Sequence, residues 1–177
     1  MSTSFLLKTR RGFVAVPTEA EEDAKMLKLA IHVERFSPLH TKVGAILESF
    51  GILGIIGNNK STQDGLVHAE IDALEMYRRL KELGLPDSEA GLSPTMYVTW
   101  IPCLACAQEI IAAGIKRVVG INRLLPIEKQ AEYNTKYKLN EALELLRGSG
   151  VEVTLYDEQS GWMQSESVTV LTPKSND

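Results

Sequence analysis

Two short motifs far apart in the chain, His68-Ala69-Glu70 and Pro102-Cys103-Leu104-Ala105-Cys106, constrain its fold more than any other feature. Together they hold one imidazole and two thiols, which zinc accepts readily, and one carboxylate that need not be a ligand. A fold that uses them must carry positions 68–70 and 103–106 to a single point. Three protein ligands leave the fourth tetrahedral position for a water that the metal acidifies, and a carboxylate beside it can move the protons.

Cysteine arithmetic sharpens the point. The chain has two cysteines, both in the second motif, and three histidines, one of which opens the first. A closed four-ligand site would have to recruit His32, His40 or a distant carboxylate, so an open catalytic site is the simpler inventory. The competing structural readings are a closed zinc knuckle and a thioredoxin-type C-x-x-C dithiol, and neither needs the His-x-Glu half.

At 177 residues, 44% hydrophobic and 24% charged, the chain can bury one sizeable core and is short for two, so a single domain spanning 1–177 is expected. No apolar run approaches a membrane span, and Met1 to Lys8 is too short for a secretory core segment. A cytoplasmic protein in a reducing compartment follows as an expectation, with its thiols kept for thiolate chemistry. The formal net charge is −4, and the basic residues fall in isolated pairs such as Arg10-Arg11, Arg78-Arg79 and Lys116-Arg117. With no basic run, a long nucleic acid is a poor partner and a small nucleoside or nucleotide a better one.

Periodicity places the motifs. Thr18 to Glu21 reads as a capping box opening a helix that runs to about Phe36. Val43–Glu48 and Ile52–Gly57 read as a hairpin, and Asn58 to Gly65 as a loop delivering the chain to His68. Apolar residues from Ala69 to Leu83 share one helical face, so the His-x-Glu motif sits on the first turn of a helix ending near Gly84. Leu85 to Pro94 is a surface connection. Thr95–Trp100 reads as a strand, and Pro102 starts a helix whose first turn presents both cysteines on one face. Arg117–Asn122 is a strand, 134–147 a helix with Tyr137 toward the core, and Val151–Leu155 a last strand. Strands alternating with helices after one hairpin imply an α/β layered sheet with a parallel portion, both motifs lying at helix N-termini that favour thiolate and a bound anion.

The combination resembles the cytidine/deoxycytidylate deaminase superfamily, in particular its deoxycytidylate (dCMP) deaminases, over roughly Ser37 to Leu155. The likeness is carried by Lys42 to Leu47, His68 to Leu74, Thr99 to Ala107 and Ala113 to Val119. It implies a cytidine-deaminase-like three-layer α/β/α fold with a five-stranded mixed sheet, a core at about 18–156 and an extension at 157–177. It further implies that His68, Cys103 and Cys106 hold catalytic Zn2+ and that Glu70 shuttles protons while water replaces the amine at C4 of cytosine. Asn59, after Gly57-Asn58, is similar to the family's sugar-contacting Asn, and Ala69 and Trp100 are candidate walls of the base pocket. A homo-oligomer, often a hexamer, and dCTP or dTTP effectors bound with Mg2+ are properties the resemblance carries with it. The host cytoplasm is the implied location for a bacteriophage member.

Departures from the pattern are local. Lys60-Ser61 follows Asn59 where the family continues with Gly and usually Pro, and Asp72 stands where Asn is common. Lys60, Arg123, Lys136 and Lys138 are cations that could offset Asp72 beside a phosphate. Guanine and tRNA adenosine deaminases usually carry Glu before Pro-Cys, where this chain has Ile101. Free cytidine deaminases tend to open the first motif with Cys, and riboflavin-pathway deaminases space their cysteines more widely. A 5-methyl or 5-hydroxymethyl dCMP substrate is a variant of the main reading, a guanine or other nucleobase or nucleoside deaminase of the same superfamily is the alternative, and a non-catalytic zinc-binding regulatory domain is the alternative of another class.

Overall fold

Each central strand of this protein alternates between two apolar faces, and that period of two decides the architecture. In the computed structural model, which describes residues 5–9, 12–16, 19–49, 52–84, 93–123 and 126–158, Ala45 and Leu47 of β3 (Gly44–Ser49), Met96 and Val98 of β7 (Thr95–Val98) and Val118 of β8 (Arg117–Asn122) face one core. Ile46, Tyr97, Val119 and Ile121, their neighbours in sequence, face the other. Helices cover both sides. Ala24, Leu27, Ala30 and Val33 of α1 (Glu19–Glu34) pack on the second face. α2 (Ala69–Glu82), α3 (Leu104–Ala112) and α5 (Leu139–Gly148) cover the first, with Ala73, Leu74, Tyr77, Ile110 and Leu146 fully buried.

The sheet is completed by β4 (Ile52–Asn58) and β9 (Glu152–Asp157) in the order β4-β3-β7-β8-β9. β3 is antiparallel to β4 and to β7, whereas β7, β8 and β9 are mutually parallel, so the sheet is mixed. The parallel strands are reached through α3 and through α4 (Ile127–Tyr137) with α5, as parallel pairing requires long crossovers. Glycine sets the helix-to-sheet distance on each face. A Cβ at Gly44 would lie 2.2 Å from the Ala30 carbonyl oxygen of α1, and one at Gly57 would lie 2.2 Å from the Ala69 oxygen of α2.

Several elements differ from the sequence expectations. The stretch read as a loop forms a small hairpin, β5 (Lys60–Thr62) and β6 (Gly65–Val67), paired through the backbone with Lys60 opposite Val67, so its polar side chains gave no apolar signal. A separate hairpin near the N-terminus, β1 (Phe5–Thr9) with β2 (Gly12–Val16), had not been expected. The helix placed at 134–147 is two helices. Lys138 takes a left-handed conformation (φ 53°) that ends α4 and starts α5, a break no glycine or proline announces. The expected strand to Trp100 ends at Val98, and α3 starts after Cys103 rather than at Pro102. Thr18, most of Leu85 to Pro94 and nearly all of the expected extension at 157–177 lie outside the described residues. Among the described residues no helix is long and apolar enough to cross a membrane.

Candidate metal centre

His68 and Cys103 occupy equivalent positions at the starts of two helices. Both are N-cap residues with extended backbones (φ −79°, ψ 154° and φ −71°, ψ 166°), so their side chains leave the helix axis rather than run along it. Cys106, in the first turn of α3, donates its backbone N–H to Cys103 Sγ at 3.5 Å. The two motifs converge: His68 Nδ1 is 3.6 Å from Cys103 Sγ and 3.4 Å from Cys106 Sγ. One ligand atom from each of the three residues lies within 4.8 Å of the others, and both cysteines are free thiols. A tetrahedron built on Zn–N of about 2.1 Å and Zn–S of about 2.3 Å has N-to-S edges of about 3.6 Å. The donor set and its spacing therefore fit zinc with one position left for another ligand.

The protons of this cluster are shared. The hydrogen bond from Cys106 draws the Cys103 thiol down to about 4, assisted by its bond with His68 and opposed by burial. The same contact, together with burial, pushes the Cys106 thiol up. His68 is raised, chiefly by its hydrogen bond with Cys103. Metal entry here must displace protons, because zinc takes thiolate and neutral imidazole. Glu70, on the first turn of α2, is 3% exposed. Burial raises its pKa, and the Cys103 sulfur adds to the shift, while its own backbone N–H and then His68 oppose it. A carboxyl so placed keeps its proton to a higher pH than an exposed one, and a nearby cation draws it back toward the charged form.

Above the cluster lies a cavity of about 350 Å³ lined by Thr41, Val43, Asn59, Leu66, His68, Ala69, Glu70, Trp100, Ile101, Cys103, Tyr133 and Tyr137, among others. All the candidate site residues except Cys106, which is buried beneath, contribute to its wall. Asn59 spends part of its amide on the scaffold: Oδ1 accepts from the Val43 N–H at 2.7 Å and Nδ2 donates to the Thr41 carbonyl at 2.7 Å. Asp72 does not line the cavity. It pairs with Lys60 Nζ at 2.6 Å and accepts the Asn58 N–H at 3.2 Å, which neutralises the cation and anchors the start of the β5–β6 hairpin. Arg123 is likewise bound, to Glu34 at 2.7 Å.

Sequence reasoning named Trp100 but missed the two tyrosines beside it. Tyr133 stacks on Trp100 (centroids 6.1 Å, 19°), and Tyr137, expected to face the core, lies edge-on to His68 at 6.5 Å. Their spacing of four on one helix is the available signal, but the helix expected at 134–147 leaves Tyr133 out.

Comparison with known proteins agrees with this geometry. Residues 20–121, more than half of the chain, match the family model for the cytidine and deoxycytidylate deaminase zinc-binding region. A tRNA-specific adenosine deaminase of Haemophilus influenzae is 32% identical over 143 residues, covering 76% of this chain and 79% of that protein. The dCMP deaminase of cyanophage S-TIM5, in complex with dCMP and dUMP, superposes with a TM-score of 0.57 at 23% identity, covering 79% of this chain and 100% of the other. Acinetobacter baumannii RibD superposes with a TM-score of 0.56 at 23% identity, covering 78% of this chain and 36% of that one. The two superpositions show a shared fold, and with the family match and the His68, Cys103 and Cys106 cluster they place this chain in the zinc-binding cytidine and deoxycytidylate deaminase family.

Proposed function

We propose that this deaminase acts on deoxycytidine monophosphate, releasing ammonia and deoxyuridine monophosphate. The observation that carries the reading is the buried carboxyl of Glu70 beside His68, Cys103 and Cys106 at the floor of an aromatic-walled cavity. His68, Cys103 and Cys106 would hold zinc, which when bound would supply a Lewis acid and acidify a water. Glu70 takes the two protons of a pocket water in turn, passing the first to ring N3 and the second to the departing amine, so that the water oxygen replaces nitrogen at C4 and ammonia leaves. Ala69, Trp100 and Tyr137 bound the ring. Asn59, with one N–H and one lone pair beyond its scaffold bonds, meets the sugar.

A monomeric pyrimidine nucleotide is favoured by Ile101 before Pro102, by the net charge of −4, and by the pairing of Lys60 and Arg123 with carboxylates. The fold shared along the full length of a phage dCMP deaminase points the same way. The 32% identity to a tRNA-specific adenosine deaminase favours a second reading, an adenosine in tRNA.

Ammonia release by the zinc-loaded protein separates the two. The assay compares dCMP, 5-methyl-dCMP, dCTP, deoxycytidine, guanine and tRNA, with Glu70→Gln as control. The proposal expects turnover of a deoxycytidine monophosphate that falls about 10²- to 10⁴-fold in Glu70→Gln while zinc content is unchanged. Activity on tRNA alone would transfer the protein to the second reading.

A further inference from the structure

Trp100 is held by groups that play no part in proton transfer. Arg123 directly follows β8. Its Nε donates to the Thr99 carbonyl at 2.9 Å, and its Nη2 donates to both carboxylate oxygens of Glu34, at 2.9 and 2.7 Å. The guanidinium lies 5.4 Å from the centroid of the Trp100 ring, on which Tyr133 also stacks. The Arg123 and Glu34 side chains are 20% and 14% exposed, so the pair is largely withdrawn from water and its geometry is held. Thr99 is fixed independently: its Oγ1 accepts from the Gly44 N–H and its N–H donates to the Gly44 carbonyl, both at 3.0 Å. The last residue of α1, the end of β7 and the exit of β8 thus meet at one guanidinium, beside the turn that carries Trp100 and leads to Cys103.

The indole N–H of Trp100 is buried with no acceptor, the one such side-chain atom among the described residues. A buried donor without a partner opposes the placement of its own ring, so the ring stays only because its neighbours hold it. We infer that Arg123 is a positioning residue that clamps Trp100 as a preset wall of the substrate pocket, with Glu34 aligning the guanidinium. Its charge is already paired, which makes it a support for the indole rather than a ligand for a substrate phosphate. A lysine cannot replace it. One ammonium cannot reach the Thr99 carbonyl, bind both Glu34 oxygens and lie over the indole at once.

The test uses the full chain with Trp162→Phe, so that Trp100 is the only tryptophan emitter. In Arg123→Met and Arg123→Lys, acrylamide quenching of Trp100 should rise. KM for whichever substrate the parent turns over should increase roughly 2- to 30-fold, the range of a partly desolvated cation–π contact, with kcat and zinc content nearly unchanged. Glu34→Gln should shift both readouts in the same direction by less, and it carries the test if the Arg123 variants do not fold. Unchanged quenching and KM in folded, zinc-loaded Arg123→Met would overturn the inference. So would wild-type behaviour of Arg123→Lys, or a loss confined to kcat. The kinetic arm rests on the deaminase reading and the quenching arm does not: inactivity on dCMP would defeat the substrate assignment while leaving the clamp open to measurement.

Discussion

Replacing Gly57, which does not itself line the cavity, with alanine should damage the site. Gly57 lies on β4 opposite Ala45, and the first turn of α2 crosses directly over it. A Cβ there would stand 2.2 Å from the Ala69 carbonyl oxygen, 2.7 Å from the Ala73 nitrogen and 3.0 Å from the Ala73 Cβ. Ordinary carbon-to-oxygen contacts are about 3.3 Å or longer, so α2 must recede by roughly 1 Å. The atoms to be moved are backbone, which cannot turn aside as a side-chain end would. Overpacking of this kind costs about 1–3 kcal/mol, or roughly 2–12 °C in Tm for a domain of this length. The displacement falls on Ala69, between His68 and Glu70, and a misplacement of about 1 Å can cost about 10²-fold in rate. Thermal unfolding, zinc per chain and kcat/KM for ammonia release would be compared with Gly148→Ala, where a Cβ meets nothing within 4 Å. The control should be neutral or stabilising. A Gly57→Ala protein with the parent's Tm refutes the packing argument. One that loses Tm but keeps kcat/KM refutes the link between that contact and the position of Glu70.

The pKa of Glu70 is raised above its ordinary 4.5, so in the metal-free protein its contribution is complete below that pH and is lost as pH rises through the folded value. Metal-free Glu70→Gln should therefore gain Tm over the parent as pH rises above about 4.5, and a difference that is flat or falls with pH would contradict the burial. Because Cys106 is held protonated against Cys103, zinc loading at pH 7 should release at least one proton into weak buffer, and titration calorimetry in buffers of different ionisation enthalpy would detect its absence. On the other face of the sheet, Asp23 is 1% exposed and binds Arg117 at 2.6 and 2.7 Å and the Tyr156 hydroxyl at 2.8 Å. Asp23→Ala strands a largely buried guanidinium and should cost about 3–5 kcal/mol in denaturant unfolding with KM unchanged, and a loss below about 1 kcal/mol would show that Glu19 and Glu152 suffice for Arg117.

The sequence by itself determined the chemistry and most of the layering. Two cysteines and one histidine in two motifs leave few alternatives for a zinc ligand set, and the β-prone runs 43–48 and 95–100 mark sheet strands whose neighbouring side chains must point to opposite faces. Both signals are local, readable from composition and period within a few residues. Tertiary structure decided the rest. The two thiols share their protons through a bond only three positions apart, but His68 reaches that pair from 35 and 38 positions away, and the shift of Glu70 comes chiefly from burial, which only the folded chain supplies. The Asn59 amide was legible as a polar residue near the site, but its bonds to Thr41 and Val43 depend on where the β3–β4 hairpin sets that loop. The break at Lys138, and with it the turn of Tyr133 and Tyr137 onto Trp100 and His68, has no turn residue to announce it. A left-handed lysine is unfavourable taken alone, and it persists here because the packing of α5 on α3 and the ring contacts of α4 outweigh a local preference that is all a sequence window can report.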